Sequence, residues 1–510
     1  MLSVACGKFN CKNLHPMLRT RMRRILWSSK SSKRFTFLTT FLIFATIFGI
    51  VNYYQAAKHY AEQRRFEDEQ NLATHVFIPR PVRYQAEGEL PVPEPNKNDT
   101  KIAVVVMSAT RSAAVKNHVS QLLKYRKNPA DFPIIISQDG DNLGVTNVIQ
   151  SFVNETAFVN FIHHKERTGV GSAIQKSAKN YFFIAQHYKF ALDKVFNEFG
   201  YKTAIITEDD LDIAEDFFSY FQSTRHLLYD DPSIWCISAW NDNGAASLVD
   251  RSHSEGLYRT DFFPGLGWML TSETWNELSV KWPEAYWDDW LRRQDIRRNR
   301  VCIRPEVSRT AHNNKLAGKG SSNGMYKKFL ASIGLPDYPI DFSLIDMERL
   351  KKKNYDPYFG SLVLSTKELS LQELLSKKKP LDQNYSYRVL YKNPKEYRQL
   401  AKTYSLMIDI RSGMARTAYY GIVPFRIDGA KVYAVHGDLD LTKPLGSEPS
   451  SKLYSDEWDK MTRYLDFAEF YCKPSKWRGK CDPNDPEMIL WFKNRGQTKR
   501  LKSWGEMIVI

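Results

Sequence analysis

Two short acidic runs in the chain carry residue types that group-transfer chemistry needs. Glu208, Asp209 and Asp210 follow one another directly after a strand-like apolar run. Adjacent carboxylates repel each other, and their hard oxygens are the ligands that Mg²⁺ and Mn²⁺ prefer. Asp288 and Asp289 form the second run, which lies between two tryptophans. A carboxylate held beside indole rings has an environment that can tune its pKa for work as a general base.

Each acidic run also has an interpretation without chemistry. The first could be a solvated loop that caps the following helix, and the second could be core tryptophans with surface acids. In the chemical interpretation, a divalent ion at the first run would neutralise a leaving diphosphate. The tryptophans of the second run could also pack against a sugar ring. The residues alone leave these alternatives open.

Single polar residues add weaker signals. Arg111 and Asp139 each follow a predicted strand, as the first acidic run does. His163 and His164 lack a third metal ligand nearby, so they are predicted to be a surface pair. His187 lies in the middle of a predicted helix, where a structural histidine is the ordinary expectation. These residues carry no function without a sheet that brings them together.

The elements that would position these residues form an α/β pattern. Strands that alternate with helices predict one domain with a mainly parallel sheet. Ligands bind such sheets at the carboxyl ends of the strands, where Arg111, Asp139 and the first acidic run lie. The predicted strands cover 102–107, 132–136 and 203–206, and the predicted helices cover 112–125, 145–152 and 175–198.

Residues 1–100 predict a membrane anchor followed by a stem. Residues 35–57 contain no charged side chain over 23 residues, which is enough for a bilayer-spanning helix. A cleaved signal peptide has a shorter apolar stretch, although a long one remains the alternative. The basic residues of 1–34 predict a cytoplasmic tail, so the rest of the chain would face a lumen. Residues 58–100, proline-rich in their second half, predict an extended stem.

The net charge of +16 does not predict nucleic-acid binding. Nine basic residues and no acid lie in residues 1–34, so the remainder carries 16 − 9 = +7. A basic excess confined to a tail is a weak electrostatic footprint for nucleic acid. With 43% hydrophobic and 25% charged residues, the chain also has the composition of a folded protein rather than a disordered one.

Cysteine and asparagine motifs agree with a lumenal body. Four cysteines follow the predicted span, and Cys236 with Cys302 and Cys472 with Cys481 are the expected pairs, with free thiols as the alternative. Glycosylation triplets are a further feature of lumenal loops. They begin at Asn98, Asn154 and Asn384.

The carboxyl-terminal part shows fewer regular patterns. One hairpin is predicted, with strands at 422–427 and 431–435 joined by an Asp-Gly turn. Residues 441–510 are rich in Lys, Trp and Pro, and their fold is not predicted. The expected units are a tail at 1–34, an anchor at 35–57, a stem at 58–100, the main α/β domain at 101–330, a smaller α+β subdomain at 331–440 and an extension at 441–510.

Five segments together resemble the N-acetylglucosaminyltransferase I family of glycosyltransferases. They contain Ile-Thr-Glu-Asp-Asp, Ser-Ala-Trp-Asn-Asp, Phe-Phe-Pro-Gly-Leu-Gly-Trp, Trp-Asp-Asp-Trp and Cys-Ile-Arg-Pro-Glu in that order. The resemblance is collinear and covers about 101–437. The segments are 206–220, 236–244, 258–268, 282–290 and 302–310.

The resemblance implies a fold and a reaction. The fold would be GT-A, with 101–330 as the nucleotide-sugar-binding catalytic domain, UDP-GlcNAc as donor and Mn²⁺ as cofactor. The reaction would be inverting transfer of GlcNAc in β-1,2 linkage to the α-1,3-linked mannose of Man₅GlcNAc₂ on glycoproteins, which opens hybrid and complex N-glycan synthesis. The protein would be a type II protein of the Golgi membrane with a lumenal catalytic domain. Other Golgi glycosyltransferases would be its potential partners.

The resemblance also implies roles for matched residues. Asp210 is similar to the direct metal ligand of the family, and Asp288 is similar to its catalytic base. The loop 316–324 would close over the donor. For His187, this implication outweighs the structural expectation. The donor-binding residues that the resemblance implies are Arg111, Asp139, His187, Glu208, Asp209 and Ser322.

The sequence departs from the family at three places. Ala109 and Gly140 stand where many relatives have cysteines, so one family disulfide is missing. The loop after Arg309 is longer than usual, and the extension at 441–510 has no recognised counterpart. Two alternatives remain: the related enzyme that adds GlcNAc to O-linked mannose, and a lumenal glycan-binding protein without catalysis. Intact Asp210 and Asp288 argue against the second.

Overall fold

The computed structural model describes residues 101–171, 178–317, 326–376, 380–498 and 501. The predicted tail, anchor and stem, together with Asn98 and Ser322, lie outside these described residues. Among the described residues, no helix combines the length and the apolar character needed to cross a bilayer. The described residues all belong to one compact unit.

The main sheet of the described chain has eight strands in the order β3-β2-β1-β4-β8-β6-β9-β7. A separate two-stranded ribbon pairs β5 with β10. The strands are β1 (Ala103–Ser108), β2 (Ile134–Asp139), β3 (Val159–His164), β4 (Thr203–Glu208), β5 (Leu211–Ile213), β6 (Ile234–Ser238), β7 (Leu257–Thr260), β8 (Trp268–Thr271), β9 (Val301–Pro305) and β10 (Thr310–His312).

The sheet is mixed, and four of its seven strand pairings are parallel. Strands β1 to β4 pair in parallel, whereas β8 runs antiparallel to β4 and β6, and β7 runs antiparallel to β9. The parallel part holds buried apolar runs, since helices cover both of its faces. Val104 and Val106 pack into one core cluster, and Val105 packs into another. The predicted α/β domain is therefore confirmed, and β3 is a strand that the sequence pattern did not predict.

Helices flank the sheet and carry part of the cleft. Helix α1 buries Val115, Val119 and Leu122, which recur at helical spacing and face the core. Helix α3 continues into a π-helical turn at Lys194–Glu198. The helices are α1 (Ser112–Tyr125), α2 (Leu143–Glu155), α3 (Lys179–Asp193), α4 (Phe217–Thr224), α5 (Leu227–Asp230), α6 (Ser272–Ser279), α7 (Trp287–Arg292), α8 (Gln294–Arg297), α9 (Lys327–Leu330), α10 (Lys352–Leu364), α11 (Leu371–Ser376), α12 (Pro394–Tyr404), α13 (Asp456–Tyr471) and α14 (Pro486–Lys493).

A second sheet follows the main one along the chain. Its order is β11-β12-β16-β15, and the predicted hairpin is confirmed as β15 and β16. A two-stranded hairpin, β13 with β14, lies between β12 and β15 in sequence. The strands are β11 (Lys367–Leu369), β12 (Ser386–Tyr391), β13 (Ile410–Arg411), β14 (Met414–Ala415), β15 (Ile422–Ile427) and β16 (Ala430–His436).

Two disulfides join the four described cysteines. Cys236 of β6 bonds to Cys302 of the neighbouring strand β9, with their Cα atoms 4.6 Å apart. Cys472 bonds to Cys481 just beyond α13. The extension, whose fold was not predicted, contains helices α13 and α14 and has its own small apolar core.

Candidate active site

The first acidic run lies at the carboxyl end of β4, as predicted. Glu208 ends the strand, and the backbone N–H of Asp209 donates to Met107 of the parallel strand β1. Arg111, just past β1, pairs with Asp209 and donates to Oδ2 of Asp210 at 2.7 Å. We call these four residues, Arg111 and 208–210, the strand-end edge.

The strand-end edge has more carboxylates than it has basic side chains nearby. Burial and the neighbouring charge of Asp210 raise the pKa of Glu208 to about 7. Burial also raises the pKa of Asp209 to about 6, although Arg111 opposes the shift. Burial acts in the same direction on Asp210, but His312 and Arg111 outweigh it and hold its pKa below the ordinary value. Three carboxylates thus share Arg111 and His312, and two of them bind a proton more tightly than an exposed acid does.

This donor set fits a hard divalent cation. It offers carboxylate oxygens at a strand end, and Oδ2 of Asp209 is buried with no hydrogen-bond partner among the described residues. Among the described residues, one group of three potential ligands with atoms within 4.8 Å of one another lies elsewhere, at His226, Asp230 and Glu348, and all three are exposed. The strand-end edge thus supplies few ligands itself and would need further oxygens from a bound substrate.

His312 is a member of this neighbourhood that the sequence did not predict. Its Nε2 lies 3.5 Å from Oδ2 of Asp210. The ribbon of β5 and β10 brings it there, because His312 pairs with Leu211, the residue after Asp210. Hydrogen bonding to the Asp210 carboxylate raises the pKa of His312. A pairing between segments about a hundred residues apart leaves no local signal in the sequence.

Asp139 and His187, both predicted donor contacts, lie near each other at the carboxyl end of β2. Oδ1 of Asp139 accepts from Nδ1 of His164 at 2.9 Å, and Arg167 donates to both carboxylate oxygens. These hydrogen bonds outweigh burial and lower the pKa of Asp139. The ring of His187 stacks parallel to His164, and its Nε2 lies 2.7 Å from the Ser137 hydroxyl.

The protonation state of His187 follows from its surroundings. Burial lowers its pKa to about 3, although Asp139 opposes the shift. The imidazole is therefore neutral, and it can accept or donate a hydrogen bond without adding charge. The prediction that His163 and His164 form a surface pair is wrong for His164, which is 8% exposed. His164 ends β3, the strand that was not predicted.

The second acidic run lies on the short helix α7, preceded by Tyr286 in a left-handed conformation (φ 54°). Nη1 of Arg292 donates to Asp288 at 2.9 Å and to Asp289 at 2.7 Å. Nε of Arg411 lies 3.7 Å from Asp289. Burial opposes these cations, but they lower the pKa of Asp289. We call Asp288, Asp289 and Arg292 the helix edge.

One cleft of about 250 Å³ joins the two edges. Glu208 lines it from the strand-end edge and Asp288 from the helix edge, whereas Asp289 is not among its lining residues. The hydroxyl of Tyr188 donates to Oε1 of Glu208 at 2.9 Å, and the Tyr188 ring packs on Trp287. Other lining residues include Tyr181, Trp240, Asp242, Leu266, Arg292, Tyr326 and Arg416.

The tryptophans of the second run have different surroundings. Trp287 is buried in a core cluster with Trp268 and Phe263, and it also lines the cleft. Trp290 is half-buried against Trp282. The core interpretation thus holds for Trp287. A larger cavity of about 790 Å³ lies around β11, α11 and α12 and contains none of the predicted site residues.

The fold and the cleft together define an α/β enzyme whose acidic side chains gather at the carboxyl edge of a mixed sheet. The GNT-I family profile matches residues 52–443, which is most of the chain. The chain therefore belongs to the GNT-I family. The matched region ends before α13 and α14, so the extension lies outside it.

One curated relative gives a further comparison. The chain is 38% identical over 327 residues to the alpha-1,3-mannosyl-glycoprotein 2-beta-N-acetylglucosaminyltransferase of Arabidopsis thaliana. That match covers 64% of this chain and 71% of the plant protein.

Solved structures are more distant. The mannosyltransferase PcManGT of Pyrobaculum calidifontis, in complex with GDP-Man and Mn²⁺, is 13% identical with a TM-score of 0.28, over 41% of this chain and 57% of that one. TarS 1-349 of S. aureus is 10% identical with a TM-score of 0.29, over 41% and 58% of the two chains. TM-scores this low do not establish a shared fold, and the matches span little more than half of those chains.

Proposed function

We propose that the protein transfers GlcNAc from UDP-GlcNAc, with inversion and in β-1,2 linkage, to the α-1,3-linked mannose of Man₅GlcNAc₂ N-glycans. Membership of the GNT-I family supports a glycosyltransferase, and the name of the Arabidopsis relative supports this acceptor. The observation that carries the proposal is that Glu208 and Asp288 line the same cleft. One edge can then hold the donor while the other activates the acceptor.

Asp288 acts as the general base in this reaction. Arg292 fixes the orientation of its carboxylate through the hydrogen bond to Oδ2. Asp288 takes the proton from the mannose 2-hydroxyl, and the mannose oxygen forms a bond to the anomeric carbon of GlcNAc. The bond from that carbon to the diphosphate breaks, and UDP leaves. Inversion needs one base and no protein nucleophile, as in inverting glycosidases.

The strand-end edge handles the charge of the donor. A divalent cation bound at Asp210, Mn²⁺ by resemblance to the family, would neutralise the charge that develops on the leaving diphosphate. Arg111 contributes a guanidinium beside the same carboxylates. Asp139 and the neutral His187 offer hydrogen-bonding groups for the rest of the donor, and Glu208 offers an acceptor at the cleft surface.

We further propose a GT-A fold and a Golgi location. The parallel strands β3-β2-β1-β4 with acids at their carboxyl ends support a nucleotide-sugar site of that type. The uncharged stretch 35–57 with its basic flank supports a type II membrane anchor. The two disulfides support an oxidising lumen for the catalytic domain.

The test is a transfer assay with two acceptors. The lumenal part, produced from about Thr100 onward, is incubated with UDP-GlcNAc, Mn²⁺ and either Man₅GlcNAc₂ or an O-mannosyl peptide, and the product masses are read. One added HexNAc on Man₅GlcNAc₂ supports the proposal. Addition only to the O-mannosyl peptide would move the protein to the related O-mannose enzymes. No transfer by folded protein that still binds UDP would favour a glycan-binding role.

A further inference from the structure

The extension beyond residue 443 packs against the rest of the enzyme through polar contacts. The hydroxyls of Ser450 and Tyr454 each donate to the buried carboxylate of Asp261 at 2.8 Å. Trp458 of α13 stacks on His436 of β16 at 4.5 Å. The extension therefore packs on the rest of the enzyme, and a change in the extension can shift the residues that it contacts.

The hairpin of β13 and β14 lies between the extension and the residues that line the cleft. Its turn, Ser412-Gly413, has positive φ at both residues. The N–H of Gly413 donates to Oδ2 of Asp459 on α13 at 3.2 Å. A Cβ on Gly413 would lie 2.5 Å from the backbone N of Ser455, so the turn lies directly against the start of α13.

The same hairpin carries Arg411 to the helix edge. Its Nη2 donates to the hydroxyl of Tyr326, which lines the cleft, at 2.9 Å. Its Nε lies 3.7 Å from Asp289 and 3.4 Å from Asp409. Asp289 in turn shares Arg292 with Asp288. Gly413 of the turn held by α13 is thus two residues from a guanidinium that faces Asp289, the residue after the predicted base.

The contacts described for the donor side involve no residue of the extension. Arg111 pairs with Asp209 and Asp210, and His187 bonds to Ser137 of β2. Asp139 bonds to residues that follow or end β3. Glu208 accepts from Tyr188 of α3, and Asp210 lies beside His312 of β10. A change in the extension should therefore disturb the donor site less than the acceptor side.

We propose that the C-terminal extension positions the acceptor side of the cleft, with Asp459 and the Ser455 backbone holding the Gly413 turn and, through it, Arg411 beside Asp289 and Tyr326. Asp459 and Gly413 are positioning residues, since they act through Arg411. This inference rests on the proposed transfer reaction, because it assigns the helix edge to the acceptor.

The experiment compares four variants of the full-length chain. Asp459→Ala removes the acceptor of the Gly413 N–H, whereas Asp459→Asn keeps an oxygen for it. Gly413→Ala adds a Cβ that collides with Ser455. Its control is Gly200→Ala, because Gly200 has nearly the same φ (74° against 75°) but no atom within 4 Å of an added Cβ.

The measurement separates the two substrates. We expect the KM for Man₅GlcNAc₂ to rise about tenfold in Asp459→Ala and Gly413→Ala, with the KM for UDP-GlcNAc within about twofold of wild type. Asp459→Asn and Gly200→Ala should match wild type in both. An unchanged acceptor KM in the first two, or equal effects on both substrates, would overturn the proposal. Should Asp459→Ala fail to fold, the pair of glycine variants decides.

A double-mutant cycle tests the route through Arg411. If Asp459 acts by holding Arg411, Asp459→Ala should have little further effect on acceptor KM once Arg411→Ala is present. Additive effects would overturn the route. Failure of the wild-type enzyme to use any mannose glycan would instead reject the proposed function itself, and UDP-GlcNAc binding by calorimetry would show that the protein is folded in that case.

Discussion

The two edges of the cleft use the same residue types in opposite ways. At the strand-end edge, three consecutive carboxylates share Arg111 and His312, and burial raises the pKa of Glu208 to about 7. At the helix edge, Asp288 and Asp289 share Arg292, and cations lower the pKa of Asp289. The first edge has three carboxylates beside one arginine and one histidine, whereas both acids of the second edge are paired with an arginine.

The difference shows how surroundings assign roles to identical side chains. A group of buried acids without enough counter-charge is a site for a cation. A carboxylate that an arginine holds in place at the cleft surface is ready to accept a proton. The sequence contains a pair of adjacent aspartates at both places, so the pair itself does not distinguish them.

The largest expected effect comes from removing the base. Asp288→Asn should lower kcat about a thousandfold, because positioned general bases contribute roughly 10²–10⁴-fold. Binding of UDP-GlcNAc should be unchanged, since Asp288 lies on the other edge. Steady-state kinetics and calorimetry check both statements. A kcat within tenfold of wild type would remove Asp288 from the role of base.

The next effect comes from the strand-end edge. Asp210→Asn should lower kcat/KM about a hundredfold, because a bound metal ion supplies several kcal/mol of charge stabilisation. The variant should also lose most of its Mn²⁺ binding, which titration calorimetry measures without turnover. Full Mn²⁺ affinity in Asp210→Asn would place the cation elsewhere.

A smaller effect at the neighbouring aspartate sharpens the contrast. Asp289→Asn should lower kcat less than about tenfold, since Asp289 contacts Arg292 and Arg411 rather than the cleft. It is the matched control for Asp288→Asn, because it makes the same chemical change one residue away on the same helix. Equal losses in the two variants would mean that the helix edge acts as a unit.

The smallest expected effect is a pH dependence of stability. The pKa of Glu208 rises from 4.5 to about 7 on folding, so the folded protein keeps a proton that the unfolded chain releases. Its contribution to stability is therefore complete below pH 4.5 and is lost as the pH rises through about 7. Glu208→Gln should reduce the fall in Tm across this range, measured without a divalent ion.

The pH dependence of stability expected from the helix edge has the opposite sign. The lowered pKa of Asp289 gives stability that is present above pH 3.8 and is lost as the pH falls through its folded pKa. Asp289→Asn should therefore leave the slope between pH 4.5 and 7 unchanged. An unaltered slope in Glu208→Gln would contradict the charge imbalance assigned to the strand-end edge. The pKa of Asp209 is raised in the same direction as that of Glu208, so the Tm of Glu208→Gln should still fall to some extent as the pH rises.

The sequence predicted the strand-end edge well because its cause is local. Buried apolar runs predict parallel strands, and parallel strands place Asp139 and the residues after Glu208 at one sheet edge. Strand β3 was missed because Val159–His164 mixes apolar residues with an asparagine and ends in two histidines, so it lacks the continuous apolar run of the neighbouring strands. His164 was therefore misjudged along with its strand.

The residues that complete the helix edge could not be predicted in the same way. Arg411 reaches Asp289 from a hairpin more than a hundred residues further along the chain. The hairpin that carries Arg411 has strands of only two residues, and neither these strands nor the extension that packs against them has a strong pattern. The resemblance to a family identified Asp288, but its partners became visible only in three dimensions.

The contacts of Asp261 determine what it would cost to remove the extension. Its carboxylate accepts hydrogen bonds from Arg297, the Tyr420 N–H, Ser450 and Tyr454. The last two donors come from sequence that the family profile does not cover. Deleting that sequence would leave a buried charge short of donors, at about 1–3 kcal/mol for each unmet group. A segment that satisfies a buried carboxylate of the main domain is therefore costly to remove.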